Sequence, residues 1–408
     1  MNCRHCSAPL AHVFLDLGCA PPTNAYLSKA DLDAPELYFP LKLYVCDVCW
    51  LVQIQDYARA DELFRADYAY FSSVSRTWLA HAAQYCSKIG SRLSLSARSL
   101  VIEIASNDGY LLKNFVSAGI PCLGIEPTAS TATAAEAQGI PVLREFFGAR
   151  LGAQLASEGR RADLIIGNNV YGHVPDINDF TAGLKAALKP GGTITLEFPH
   201  LLNLIEKTQF DTVYHEHFSY LSLHAAARVL SKAGLRVWDV EQLPTHGGSL
   251  RVYACHAKDA HQNSAAVAEI LERERASGLQ DLETYRRFQQ HADRAKNNLL
   301  AFLIEAKRQG KIVAGYGAAA KGNTLLNYAG VKPDLLPFVC DAAPSKQEKY
   351  LPGSRIPVLS PSALSERHPD YVLILPWNIA DEIMQEQAAI SAWGGRFVVA
   401  VPELRFVG

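Results

Sequence analysis

Apolar and polar positions change their rhythm three times along this chain. Residues 1–60 are short, Pro-containing segments framed by two close pairs of cysteines. Over 61–95 apolar residues recur at helical spacing, through Trp78, Leu79, Ala82 and Ala83, which predicts a helix. At Ser99 the pattern becomes that of a buried strand, Leu100 to Ile104, then a turn of small polar residues and a helix start. The alternation continues with strands at Cys122–Ile125 and Ala162–Val170, a helix over 179–188, and Lys189-Pro-Gly-Gly turning into a fifth strand. Residues 245–253 read as a turn into a strand, and 262–310 as a charged, connecting pair of helices. From Lys311 a strand, a Gly-rich turn and a helix recur, with further parallel strands at Phe338–Asp341, Ile356–Val358 and Tyr371–Asn378. Strands alternating with helices predict an α/β protein, divided at the changes of rhythm into 1–60, 61–255 and 256–408.

Composition narrows the class. A length of 408 residues suits two to three domains at about 150 residues each. Apolar residues make up 49% and charged residues 20%, which excludes a disordered, collagen-like or coiled-coil chain. Lys and Arg number 39 against 41 Asp and Glu, so the basic surplus of a nucleic-acid binder is missing. No run of 18 uncharged apolar residues predicts a membrane span, and the first residues lack the apolar core of a signal peptide. A cytoplasmic protein, a monomer with a small-molecule substrate, is expected.

Nine cysteines are an odd number, and four of them form Cys3-x-x-Cys6 and Cys46-x-x-Cys49. Four soft thiolates are what a tetrahedral Zn²⁺ takes, and two such turns meeting at one ion leave no open position. The site is therefore expected to be structural, its loss lowering stability with little effect on the chemistry of whatever stays folded. Four unrelated buried thiols, or a redox pair, are the competing readings. His5, inside the first turn, is expected to stand by. Cys19, Cys86, Cys122, Cys255 and Cys340 stand alone and are expected to pack as small hydrophobes.

The turn after Ile104 lies where an open α/β sheet holds a nucleotide, at the carboxyl end of its first strand. It has only Gly109 of the Gly-x-Gly-x-x-Gly pattern and carries acids at both ends. Glu126, ending the second strand, is placed to accept hydrogen bonds from ribose hydroxyls. An acid-led loop suits a ligand without a pyrophosphate and with a cationic amino group. Glu103, Glu126 and Lys189-Pro-Gly-Gly in this order resemble a class I S-adenosylmethionine-dependent methyltransferase.

Tyr214-His-Glu-His-Phe-Ser-Tyr220 is the densest polar and aromatic run in the chain. If it is extended, His215 and His217 share one face, Tyr214 and Glu216 the other. His173 follows the fourth strand and opens on the same crevice. Methyl transfer to carbon needs a carbanion, hence a base near neutral pKa and a donor to the developing enolate. Histidine suits the first task, tyrosine or a second histidine the other. A metal site and a structural cluster are the alternatives, although the run lacks the His-Glu-x-x-His spacing.

The two Cys pairs, Glu-Ile-Ala-Ser-Asn-Asp-Gly, Gly-Ile-Glu-Pro, Asn-Asn-Val-x-x-His-Val-Pro-Asp and Tyr-His-Glu-His-Phe-Ser-Tyr-Leu together resemble the sugar C-methyltransferase family over nearly the whole chain. The resemblance implies a zinc-binding N-terminal module, a central S-adenosylmethionine domain and a C-terminal Rossmann-like domain. It implies methylation at carbon 3 of a dTDP-linked 4-keto-deoxysugar. It makes His217 the base, with Tyr214, Glu216 and His173 beside it and a tyrosine from the aromatic run 67–73, Tyr68 or else Tyr70. It places the cofactor on Glu103, Ala105, Asn107, Asp108, Gly109, Glu126, Pro127, Asn168 and Asn169, and the substrate near Tyr70 and Tyr220. Ala105 stands where the family has glycine, a mild change if its φ is negative. Gly172 is expected to loosen the segment before His173.

In the C-terminal third, Gly315-x-Gly317 with Lys321 and Asn323 offers N–H groups and a cation at a helix start, a setting for the substrate's pyrophosphate. Arg251 and Lys346 are further cationic candidates. The competing reading is a degenerate Rossmann loop that only closes a tight turn. Two other functions remain open: a zinc-containing methyltransferase of RNA or of a non-sugar keto metabolite, and a non-catalytic nucleotide-sugar binder.

Overall fold

The computed structural model describes residues 1–55 and 72–407. Strands β1 (His12–Ala20), β2 (Phe39–Val45) and β3 (Val52–Ile54) form an antiparallel meander. In β2, Leu41, Leu43 and Val45 alternate inward, the period-two pattern of a half-buried strand. Cys19 lies on the exposed side of β1, a correction to its expected packing, whereas Cys86, Cys122, Cys255 and Cys340 are buried.

Helix α1 (Arg76–Arg92) lies within the stretch 61–95 expected to be helical, of which residues 61–71 lie outside the described residues. Its start is fixed by Ser75, whose hydroxyl accepts from the Trp78 amide. The central domain follows as β4 (Val101–Ile104), α2 (Leu112–Ser117), β5 (Cys122–Ile125), α3 (Ala129–Glu136), β6 (Val142–Leu143), α4 (Ala149–Ser157), β7 (Ala162–Asn168), α5 (Ile177–Ala187) and β8 (Leu188–Pro199). After α6 (Leu201–Glu206), β9 (Ser219–Tyr220) and α7 (Leu223–Lys232) come β10 (Leu235–Leu243) and β11 (Ser249–His256). The expected turn Lys189–Gly192 lies within β8, where pairing to β7 slips between Ala162 and Leu164. The sheet order is β10-β11-β8-β7-β4-β5-β6, with β11 antiparallel to both neighbours. Strand order reverses between β4 and β7, so their carboxyl ends open a crevice.

Helices α8 (Ala265–Ala276) and α9 (Leu282–Arg308) lead to the third sheet. It contains β12 (Val313–Tyr316), β13 (Val339–Cys340), β14 (Val358–Leu359), β15 (Tyr371–Ile374), β16 (Arg396–Val399) and β17 (Arg405–Val407), with α10 (Ala320–Ala329) after β12. The order β14-β13-β12-β15-β16-β17 is parallel except for β17, and it reverses between β12 and β15.

Packing crosses the boundaries that chain order suggests. Strand β9, from the middle of the chain, pairs with β3 as the fourth strand of the N-terminal sheet, Val52 opposite Tyr220. On the other side, Phe14 packs against Tyr285 and Phe288 of α9 with ring centroids 5.3 and 4.9 Å apart.

Candidate active site

The first turn of the N-terminal module and its partner are built alike. Ser7 and Trp50, each four residues past the first Cys of a pair, have φ of 64° and 61°. Each amide returns to the carbonyl of that Cys, at 2.9 and 2.8 Å. The turns bring Cys3 Sγ within 3.5 Å of Cys49 Sγ and Cys6 Sγ within 3.6 Å of Cys46 Sγ, all four sulfurs lying within 4.8 Å of one another. A tetrahedron of sulfurs at about 2.3 Å from zinc has edges of this size, so the four fit the ion. His5 instead binds Asn178, Nδ1 to Oδ1 at 2.8 Å.

The loop after β4 is strained. Ala105, Asn107 and Gly109 have φ of 55°, 50° and 79°. The negative φ expected of Ala105 is not observed, so alanine sits in a region that a Cβ disfavours. Gly109 has no substitute: a Cβ there would lie 2.4 Å from Ile140. Glu126 holds the loop in place, accepting from the amides of Asn107 and Thr128 at 3.0 and 2.9 Å. Asn107 and Asp108 in turn accept from the amides of Ser72 and Ser73 at 2.9 and 3.1 Å, pinning the chain that enters α1 over the loop. Tyr68 and Tyr70 lie outside the described residues.

Around this loop the buried groups are acceptors. Glu103 is 1% exposed, and burial, Asp108 and Glu126 push its carboxyl well above the usual range. Asp108 Oδ1, and Asn168 Oδ1 and Asn169 Oδ1 at the end of β7, are buried without hydrogen-bond partners among the described residues. Acids and unpaired acceptors repel a pyrophosphate and suit a ligand carrying an amino group and hydroxyls, as S-adenosylmethionine does. Pro127 continues the chain from Glu126 at the edge of this site. Glu126→Ala is expected to weaken S-adenosylmethionine binding by about 1–3 kcal/mol in calorimetry, the range for a charged hydrogen bond lost; unchanged affinity would move the ribose elsewhere.

Residues 214–217 are not extended, which corrects the expected pairing of faces. The His217 amide donates to the Tyr214 carbonyl at 3.0 Å, closing a turn. The turn sets Tyr214 against His217, ring centroids 3.9 Å apart, and sends His215 away to the Phe39 carbonyl at 3.3 Å. His173 stacks on His217 at 4.6 Å. Gly172 makes that approach possible, since a Cβ there would lie 2.8 Å from the Ser219 carbonyl oxygen. Its role is close contact rather than freedom. His217 Nδ1 lies 2.9 Å from the Thr212 carbonyl oxygen. A carbonyl only accepts, so the proton is on Nδ1 and Nε2 keeps its lone pair. Tyr220 meets the His217 ring edge-on at 5.8 Å, and its hydroxyl accepts from the Tyr214 amide at 3.3 Å. Glu216 is buried and accepts from Asn24 Nδ2 at 3.1 Å and Thr23 Oγ1 at 3.5 Å, tying the run to the N-terminal module.

His246 was not singled out from the sequence. It has φ of 52°, and its Nε2 lies 3.2 Å from Asn169 Nδ2. The only sequence signal was the pair of glycines that follows it, and in the structure a Cβ on Gly247 would lie 2.5 Å from the Trp377 ring. Burial holds His173 and His246 down to about 4, and with the charges of His173, His246 and Lys321 it holds His217 well below 6.5. The folded chain keeps three imidazoles neutral where an unfolded chain already takes up protons. Stability is therefore expected in full above pH 6.5 and lost as pH falls toward 4; a urea midpoint unchanged down to pH 5 would contradict this.

The expected phosphate cradle after β12 is filled by the protein itself. The Gly317 amide donates to the Cys340 carbonyl and the Ala318 amide to Asp341 Oδ2, both at 2.7 Å. Gly317 has φ of 87°, and a Cβ there would lie 2.4 Å from Pro376. Asn323 Nδ2 donates to the Thr23 carbonyl at 2.7 Å. Lys346 Nζ donates to the Ala318 carbonyl at 2.9 Å, and Arg251 is buried against Glu197 at 2.6 Å. Lys321 Nζ donates to Asn378 Oδ1 at 2.5 Å and lies over the Trp377 ring.

A zinc binding domain model matches residues 3–64, a methyltransferase domain model 78–240, and a model for a C-methyltransferase C-terminal domain 244–402. The C-methyltransferase NovU of Streptomyces niveus is 36% identical over 406 residues, covering 100% of this chain and 96% of that protein. Among solved structures, the glycopeptide N-methyltransferase MtfA complexed with S-adenosyl-L-methionine aligns at 14% identity and TM-score 0.34, over 44% of this chain and 93% of that one. A protein of Pyrococcus horikoshii OT3 aligns at 14% identity and TM-score 0.39, over 48% and 98%. No helix among the described residues is long and apolar enough to cross a membrane.

Proposed function

The chain belongs to the S-adenosylmethionine-dependent C-methyltransferase family, and on that premise we propose that it methylates carbon 3 of a dTDP-linked 4-keto-deoxysugar. Bound S-adenosylmethionine supplies an electrophilic methyl group. The chain's task is to turn a carbon beside a carbonyl into a nucleophile and to hold it there.

His217 Nε2 is the group that takes the carbon 3 proton. Its ring is fixed from behind by the Thr212 carbonyl, so no rotation is needed at the moment of transfer. The C–H electron pair moves into the carbon 3–carbon 4 bond, and the carbonyl pair moves onto oxygen. Tyr214 and His173, flanking His217, stand where that oxygen gains charge. With the cofactor bound, the pair would return through carbon 3 to the methyl carbon as the methyl–sulfur bond breaks and its electron pair stays on sulfur. An enolate beside His217 reverses the effect of the neighbouring cations, which raises the basicity of an imidazole that is neutral at rest. Glu103, Asp108 and Glu126 are the proposed cofactor side of the crevice, with Asn168 and Asn169 between the two sides. The C-terminal domain is proposed to face the nucleotide half of the substrate.

What supports the reading is the placement of His217, its tautomer set, between Tyr214 and His173, which belongs to the segment that follows β7. Incubation in heavy water with a panel of dTDP-keto-sugars tests it. Deuterium at carbon 3 without methyl donor, and a methyl group there with labelled donor, are expected. No exchange and no label on any member of the panel would overturn it.

A further inference from the structure

We infer that Lys321 is the cation of this active site, its ammonium donating to the substrate's carbonyl oxygen as that oxygen becomes an enolate. The inference rests on the keto-substrate reading above.

Lys321 is in the first turn of α10, at the point where the C-terminal sheet reverses its strand order. Its Nζ lies 2.5 Å from Asn378 Oδ1 and 4.6 Å from the centre of the Trp377 ring. Trp377 sits between two parts of the histidine cluster. Its Nε1 donates to Asp211 Oδ2 at 2.7 Å, and its ring packs against Gly247, beside His246. Asp211 is next to Thr212, whose carbonyl orients His217. One turn further along α10, Thr324 Oγ1 donates to the Val213 carbonyl at 2.7 Å, so the helix is fastened to the segment that carries the base. The charge of Lys321 disfavours protonation of His217 and His246 and favours the carboxylate of Asp211.

An ammonium has three N–H donors. Among the described residues Asn378 is its one hydrogen-bond acceptor, and Trp377 supplies only a ring face. Asp211 is occupied on Oδ2 by Trp377, and its Oδ1 has no partner among the described residues. A half-buried cation with one hydrogen-bond acceptor among the described residues has donors free for a ligand that brings negative charge. A phosphate is the poorer occupant of the turn before α10, because the Gly317 and Ala318 amides are spent on Cys340 and Asp341, and Asp341 is an acid. An enolate oxygen, formed as His217 withdraws its proton, gains its charge within this cluster. Lys321 donates a hydrogen bond to it and keeps its own proton while the electron pair rests on oxygen. The pair then returns through carbon 3.

The test compares wild type, Lys321→Met and Lys321→Arg with a dTDP-4-keto-2,6-dideoxyhexose. The readouts are carbon 3 exchange, methyl transfer, and affinity for plain dTDP and for S-adenosylmethionine. Lys321→Met is expected to lose about 100-fold or more in the rate of both steps, the scale of a removed oxyanion donor, with dTDP and cofactor affinities within about three-fold. Lys321→Arg is expected to recover part of the rate. Burial holds the Lys321 ammonium down to about 8, so the wild-type rate falls as pH rises past that point, and the arginine variant moves this limb upward. Near-normal exchange in Lys321→Met, or a fall in dTDP affinity matching the fall in rate, overturns the role of Lys321 alone. A wild type that exchanges nothing removes the keto-substrate reading and this inference with it.

Discussion

Replacing His217 by Asn is expected to abolish methyl transfer and carbon 3 exchange together, by about 10²–10⁴-fold, while S-adenosylmethionine affinity stays within a few-fold. Asparagine keeps a polar group of similar reach toward the Thr212 carbonyl, so the turn closed by Tyr214 and His217 survives the change. What it lacks is a lone pair on nitrogen that can take a proton. The cofactor loop is held by Glu126 and by the residues entering α1, none of which contacts His217, so binding and chemistry are separable here. A variant that keeps near-normal exchange would remove His217 as the base. One that loses exchange and cofactor affinity equally would mean the substitution had collapsed the crevice.

Loss of the metal is expected to cost activity as well as stability. Cys46→Ser leaves three thiolates, and a structural metal lost belongs to the class of changes worth about 4 kcal/mol or more. The sequence implied that this loss lowers stability with little effect on the chemistry of whatever stays folded. The pairing of β3 with β9 argues for closer coupling: the strand directly after His217 and Phe218 hydrogen-bonds to the strand that follows Cys49. Glu216 is tied to Thr23 and Asn24 as well. Chelation or Cys46→Ser is therefore expected to lower the melting temperature and to reduce turnover in parallel with metal content. Wild-type protein purified with no zinc refutes the four-thiolate site. A metal-free variant with normal turnover refutes the coupling.

Local sequence signals were reliable where one element carries the chemistry. Cys-x-x-Cys forms its own turn, whatever surrounds it, because the amide one residue past the pair closes on the first Cys. Gly109 is readable because a positive φ against Ile140 admits nothing larger. Glu126 is readable because an acid at the end of a second parallel strand has few other places to point. Ala105 shows the limit: its chemistry suggested an unstrained loop, but the loop is held open by Glu126 from a different strand, and tertiary hydrogen bonds override a residue's own preference.

The chain's order of motifs by itself determined the α/β class and the four-sulfur cluster. Only the folded structure decided which side chains of the run around His217 meet. An extended reading pairs His215 with His217, and one backbone hydrogen bond pairs Tyr214 with His217 instead. His246 and Lys321 come from segments 29 and 104 residues beyond His217, and the three residues belong to parts of the chain that different sheets carry. Periodicity reports the face a residue shares with its own helix or strand. Which distant face it will meet is fixed by how the three sheets pack, and that information is spread over the whole core.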